Sequence, residues 1–225
     1  MLYHHMMKAC LPCLFSLLTG WALLASCSDN ASPMPSYRED LVCLHTDASG
    51  VIGEMRCDDG QTYRVSNVKG GLRPDSTYRA LALFTHEAGS DAVWLTDYAS
   101  ILAPRPMKFR NNVVRDPLSV VSCWKSGGYV NLRLQLKGTN GVAHYFGFHE
   151  ADEHTNPAGG KTVSIQLIHH QNQDPLYYTR ELYLSLPLDS YVENHTGPTD
   201  SIEVNVVTFS GDYVRRFSLG HGAES

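Results

Sequence analysis

The densest set of reactive side chains in this 225-residue sequence is His149-Glu150-Ala151-Asp152-Glu153-His154, five metal-ligand types in six residues. Imidazole and carboxylate are the donors of zinc sites, and a zinc ion held there would serve a metal-dependent hydrolase. The H-E-x-x-H arrangement, however, needs its histidines four apart on a helix so that both face one ion. Here they are five apart, at the end of a strand and in the loop before Asn156-Pro157. What remains is a calcium or adventitious transition-metal site built from His149, Glu150, Asp152, Glu153 and His154, with a solvated acidic loop as its ordinary alternative. His169-His170 sit at a strand end, where adjacent residues face opposite sides of a sheet and share a metal awkwardly. His144 shares parity with Phe146 and Phe148 and reads as a hydrogen-bonded core histidine.

Two nucleophile or phosphate-binding signatures are missing from the sequence, G-x-S-x-G and a glycine-rich phosphate loop. The expectation is therefore a non-enzymatic protein with no catalytic residues and no cofactor. Exposed aromatics are better binding material, because a ring on a loop combines apolar area with a polar handle. Tyr177-Tyr178 follow Asp174-Pro175 and are the candidate pair for a protein or glycan partner, while Trp94 and Trp124 read as core fillers. Asp75-Ser76-Thr77 and Asp200-Ser201-Ile202 resemble a D-[ST]-x acceptor for O-glycosylation, which makes Ser76 and Ser201 candidate modification sites.

The elements that must position these residues are strands. Period-two alternation recurs in Val130–Leu136, Val163–Leu167, Leu182–Leu186 and Ile202–Val206. With Val120–Trp124, Val142–Phe148 and Tyr213–Leu219, these make about seven short strands separated by turn residues, as in an immunoglobulin-like antiparallel sandwich. Residues 37–103 hold five more strands, with a tight turn at Asp58-Asp59-Gly60 and a longer break near Gly70-Gly71, which suits a small OB-like barrel. Between them, residues 104–112 carry Pro104 and Pro106 with Arg105, Lys108 and Arg110. This reads as a basic linker or as a contact for an acidic partner. The expected organisation is all-β: a barrel over 37–103, a linker over 104–112, a sandwich over 113–219 and a tail over 220–225.

The amino terminus supplies an address. A basic start, an apolar run after Lys8 and Leu24-Ala25-Ser26-Cys27 form a secretory signal peptide over residues 1–26. It resembles the lipobox of bacterial lipoproteins, which implies lipidation of Cys27, cleavage before it and an outer-membrane location. The run is short for a membrane span and carries Pro12 and Gly20. Residues 27–36 then read as a polar tether, and Met6-Met7-Lys8 is a more usual beginning than Met1. Removing residues 1–26, which hold one lysine, leaves 199 residues at formal charge −6, against −5 for the whole sequence. An acidic surface gets no electrostatic help on nucleic acid, so that partner class is set aside. Of six cysteines, Cys43, Cys57 and Cys123 remain beyond Cys27. A Cys43–Cys57 bridge depends on hairpin register, and a tight four-residue turn would set Cys43 nearer Glu54.

Taken together, the sequence resembles the NigD-like lipoproteins of Bacteroides-type Gram-negative bacteria. The likeness rests on Thr46-Asp47-Ala48-Ser49-Gly50 with Cys57-Asp58-Asp59-Gly60-Gln61-Thr62-Tyr63, and on Asp116-Pro117-Leu118-Ser119-Val120 with Trp124 and Tyr129–Leu132. It ends on Ile202–Val206 with Phe209, Gly211 and Phe217. The resemblance implies an OB-like domain followed by a β-sandwich, and it brings no catalytic residues. The family is named from a member encoded in a bacteriocin operon, which implies an accessory or immunity-like role. Orientation at the membrane and oligomeric state are not readable.

Overall fold

The computed structural model describes Ser36–Gly220, apart from Asn112 and Asn140, so Cys27, the signal segment and nearly all of the tether lie outside the described residues. Strands β1 (Tyr37–Thr46), β2 (Ile52–Cys57), β3 (Thr62–Val65), β4 (Thr77–His86) and β5 (Ala92–Ser100) close into a barrel in the order β1-β2-β3-β5-β4. The β3–β5 pair is parallel and the others are antiparallel, as an OB-like barrel requires. Local chemistry sets the first turn: the Asp47 carboxylate accepts the backbone N–H of Ser49 at 2.8 Å and of Val51 at 3.0 Å. Val42, Leu44, Ile52, Met55, Phe84 and Leu95 fill the barrel.

Seven further strands make two facing sheets. Strands β6 (Ser119–Ser126), β7 (Tyr129–Gly138) and β10 (Tyr178–Pro187) form one, in the order β10-β7-β6. The other, ordered β12-β11-β9-β8, comprises β8 (Tyr145–Thr155), β9 (Lys161–His170), β11 (Ser201–Thr208) and β12 (Gly211–Ser218). The short helix α1 (Asp189–Asn194) carries the chain from β10 back to β11, which is why β11 runs parallel to β9. Leu132, Leu134, Phe148, Ile165, Leu184 and Val204 interdigitate between the sheets. Among the described residues no helix is long and apolar enough to cross a membrane.

The structure corrects four sequence expectations. Cys43 lies opposite Arg56 and Cys57 opposite Val42, because a five-residue turn, 47–51, and a bulge at His45/Thr46 together shift the hairpin register. The two cysteines therefore face opposite sides of the strand pair. Cys57 joins the barrel core, Cys43 reaches toward Tyr129, and both are free thiols. Trp94 is 58% exposed rather than a core filler. The strand expected at 142–148 begins at Tyr145 and continues through Thr155. The basic linker is docked on the sandwich through bridges Leu102–Leu184, Met107–His149 and Arg115–His169, so it is no free spacer.

Barrel and sandwich form one compact unit, joined around Arg79 on β4. Its side chain is 2% exposed and grips the Asp58 carboxylate through two bonds of 2.5 and 2.7 Å. The sandwich supplies the rest: Arg79 donates to Asn131 Oδ1 at 3.0 Å and to Ser185 Oγ at 3.3 Å, and lies over the Tyr129 ring. Ser126 Oγ donates to Asp58 at 2.6 Å, and Asn131 Nδ2 donates to Ser126 Oγ at 2.9 Å. The adjoining Gly127 has φ +58°, and a Cβ there would overlap the Asp58 carboxylate, so glycine is required twice over. Replacing Arg79 with Met strands a buried carboxylate, and the expected cost is about 3–5 kcal/mol in urea unfolding. Adding Asp58→Asn should recover part of it, whereas a loss below about 1 kcal/mol for Arg79→Met would show the joint to be incidental.

Candidate binding surface at the aromatic end of the sandwich

Strand β7 begins at the barrel joint and ends about 30 Å away, at roughly 3.3 Å per residue over its ten residues. At that far end β7 and β9 finish while β8 and β10 begin, so four strand termini converge. The loop from Gln171 to Tyr177 crosses between the sheets and carries the sequence-selected tyrosines. Tyr177 and Tyr178 are 74% and 68% exposed and meet edge to face at 6.5 Å between centroids. Leu176 beside them is exposed too. Tyr145, which the sequence did not single out, is exposed at the start of β8 and stacks on His170 with centroids 6.3 Å apart.

These rings stand on a rigid base. Asn172 and Gln173 adopt left-handed φ values of 57° and 60°, an uncommon conformation for side chains other than glycine. The turn is held by Gln171, whose N–H donates to Asp116 Oδ2 at 2.7 Å and whose amide donates to the Asp174 carbonyl. The Asp174 side chain is fully buried and accepts Thr139 N–H and Thr139 Oγ–H, each at 2.6 Å. Burial opposes its ionisation, but the hydrogen bonds from Thr139 and His144 outweigh it and hold the carboxyl below its usual range. A Cβ on Gly138 would overlap the same carboxylate, which leaves that position to glycine.

Beside Tyr145, the docked linker and the outward face of β8–β9 enclose a groove of about 390 Å³. Met107, Phe109, Val114, Tyr145 and Ile168 line it, and Gly147 opposite Ile168 keeps its floor low. The linker cations at its edge are engaged: Arg105 pairs with Asp189 at 2.7 Å and Lys108 with Glu150 at 3.0 Å.

The proposed metal ligands are spread along edge strand β8 and do not converge on one point. Phe109 N–H donates to His149 Nδ1 at 3.3 Å. Glu150 takes Lys108 and the Tyr191 hydroxyl, whose pKa is raised by burial and then by that carboxylate. Asp152 pairs with His154 at 3.3 Å. Glu153 binds Lys161 at 2.8 Å and His195 at 3.2 Å, and the Lys161 bond first, then His195, holds its carboxyl low. Among the described residues no three His, Cys, Asp or Glu side chains are placed to hold one ion. Of the glycosylation candidates, Ser76 is half-buried and donates to the Pro74 carbonyl at 2.8 Å. Ser201 is buried against the Thr162 hydroxyl at 2.7 Å, where a transferase acting on the folded chain has no access.

The family model for the NigD-like C-terminal beta sandwich domain matches residues 102–218. Among solved structures the chain is similar to a NigD-like immunity protein from Bacteroides caccae, at 26% identity and TM-score 0.65 over 81% of this chain and 92% of that one. A toxin-related protein from Parabacteroides distasonis matches at 20% identity and TM-score 0.67, over 81% and 93% of the two chains. A lipoprotein from Bacteroides fragilis matches at 11% identity and TM-score 0.59, over 85% and 100%. The last two likenesses carry the fold alone. No curated protein matches the chain.

Buried thiols bear on whether covalent chemistry is available. Burial pushes Cys57 up to about 11 and Cys123 up to about 12, so both stay protonated at neutral pH. Maleimide at pH 8 is therefore expected to modify these two at least about a hundredfold more slowly in the folded chain than in urea. Equal rates in the two states would show an activated thiol.

Proposed function

The chain belongs to the NigD-like family, and we propose that within it this protein is an outer-membrane-anchored lipoprotein acting as a non-enzymatic binding or assembly module. The observation that carries the binding part is the exposed Leu176-Tyr177-Tyr178 cluster standing with Tyr145 above buried Asp174, whose two carboxylate oxygens both accept hydrogen bonds. Exposed aromatics cost free energy in water unless a partner covers them, and a rigid base lowers the ordering cost of that contact. Tyrosine also supplies an edge hydroxyl beside its apolar face, which suits a protein surface or a sugar ring. The relative from Bacteroides caccae, called an immunity protein, favours a protein partner in a bacteriocin-associated setting.

The anchor rests on Leu24-Ala25-Ser26-Cys27. Cys27 lies nine residues before Ser36, where the described fold begins, so a lipid there would hold the barrel within about 30 Å of the membrane. The described fold offers no apolar helix as another means of attachment. Two acyl chains or more on one cysteine suffice for firm anchoring.

Two measurements test the parts separately. Cys27→Ala is expected to abolish palmitate incorporation and move the protein out of the outer-membrane fraction. Unchanged fractionation would remove the anchor. On glycan arrays and in cell-lysate pull-downs, the double variant Tyr177→Ala/Tyr178→Ala should bind at least about tenfold more weakly, the effect of losing an aromatic anchor. Binding untouched by both substitutions would dismiss the tyrosine end.

A further inference from the structure

Beneath the exposed rings, two histidines and two aspartates form one hydrogen-bonded chain. His169 Nδ1 lies 2.9 Å from the Asp116 carbonyl, and His169 Nε2 lies 2.9 Å from His144 Nδ1. His144 Nε2 lies 3.1 Å from Asp174 Oδ2. Each of the three links needs one proton. The Asp116 carbonyl cannot donate, so His169 Nδ1 must. Each Asp174 oxygen already accepts a Thr139 donor at 2.6 Å, and Arg180 on β10 lies 3.8 Å away, an environment that keeps the carboxylate ionised. His144 Nε2 must therefore donate as well. The link between the rings needs a third N–H, but two neutral imidazoles carry only two.

We infer that His144 and His169 share one extra proton, as a buried imidazolium–imidazole pair bound to Asp174, and that this pair is an acid-labile clasp on the aromatic end. Its position gives it that role. His144 ends the loop before β8 and Tyr145, His169 precedes His170 on β9, Asp116 leads into β6, and Asp174 anchors the loop before Tyr177. A fourth proton would set N–H against N–H across the 2.9 Å link, with two cations in contact. The link would break and free the loop over residues 171–177 from β8 and β9.

The surrounding charges agree with this assignment. Burial first, then the charge on His144, lowers the pKa of His169 and disfavours a cation on that ring, so the count of links leaves the third N–H to the ring that meets the Asp174 carboxylate. The other charged groups here are Arg115 beside Asp116, His170 on β9, and Arg180 with Glu181 on β10; Lys137 on β7 is exposed. The Asp116 carboxylate is occupied by the Gln171 N–H, and Arg180 stands on the Asp174 side. The sign follows from proton binding. The folded pair holds one extra proton, whereas in the unfolded chain each imidazole protonates near about pH 6.5, so the clasp is most stable near that pH. Below it the clasp weakens because His169 is held neutral in the fold, and above it the clasp weakens as the shared proton is drawn off. The low Asp174 pKa adds a second loss further down the acid range.

The consequence for binding rests on the aromatic-end reading above; the proton count does not. The test uses the full chain in detergent with ¹⁵N-histidine, assigned through His144→Gln and His169→Gln. At pH 7.5, imidazole NMR should find three N–H groups on the four ring nitrogens, with both nitrogens of His144 protonated. Two neutral rings would overturn the inference. Between pH 6.5 and 4.5, amides of residues 141–145 and 171–177 should gain at least about tenfold in intrinsic-rate-corrected exchange relative to barrel amides. Equal change in both regions would leave no clasp. Neither readout involves a partner, so loss of binding in the tyrosine variants with normal histidine signals, or the reverse, separates the two readings.

Discussion

One buried cation organises this molecule. Arg79 sits where barrel and sandwich meet, shut away from water, with its counter-ion and its neutral partners drawn from different parts of the chain. A guanidinium in that position is tolerable only if every face is occupied: Asp58 takes the fork, Asn131 and Ser185 take further N–H groups, and Tyr129 covers the plane. Because charge and counter-charge both belong to the barrel, the sandwich contributes dipoles rather than attraction between unlike charges. The arrangement fixes orientation more than it adds affinity, since other relative placements would leave polar atoms unpaired in a dry interface.

Strand β7 links that joint to the aromatic end. Its first residues, Tyr129 and Asn131, serve the joint, its middle packs Leu132, Leu134 and Leu136 into the core, and its last, Gly138, lies against buried Asp174. Both ends of the sandwich thus close on buried polar networks, with an apolar layer between them, although Arg115 Nε and Arg180 Nε at the far end have no hydrogen-bond partner. Such a body keeps exposed tyrosines in a defined place, which matters because aromatic contacts gain most when little ordering is needed on binding. The edge strand β8 shows the same economy of exposure. Its outer side is covered at His149 by the linker, and its polar half carries acidic side chains, with the Glu153–Lys161 ion pair among them, that discourage strand addition.

The strands of the sandwich were legible because one face of each is buried, so Val130–Leu136 or Ile202–Val206 must alternate. The barrel was legible through its turns, since Asp47 with Gly50 and Asp59 with Gly60 write their geometry into the sequence. The polar half of β8 was not, because an edge strand with charges on both faces has the composition of a loop. Hairpin register failed for two local reasons: the turn takes five residues, 47–51, rather than four, and a bulge at His45/Thr46 adds one more step, so Cys43 lies opposite Arg56 rather than Glu54. Tyr177 and Tyr178 were readable as exposed from Asp174-Pro175. That Asp174 itself is the buried base was not, because its partners Thr139 and His144 lie 35 and 30 residues away and only the β7–β10 pair together with the β8–β9 pair of the other sheet brings them together. The Arg79 network escaped for the same reason: Asn131 and Ser185 are 52 and 106 residues distant.

Native-state hydrogen exchange across a urea series puts the single rigid body to its most direct test. The protected amides of Val42 and Phe84 report the barrel, and those of Leu132 and Ile165 report the sandwich. If the buried Arg79 joint couples the two, their opening free energies and urea dependences converge on one global unfolding event. Two separate limiting lines, with the barrel opening while the sandwich stays protected, would contradict it.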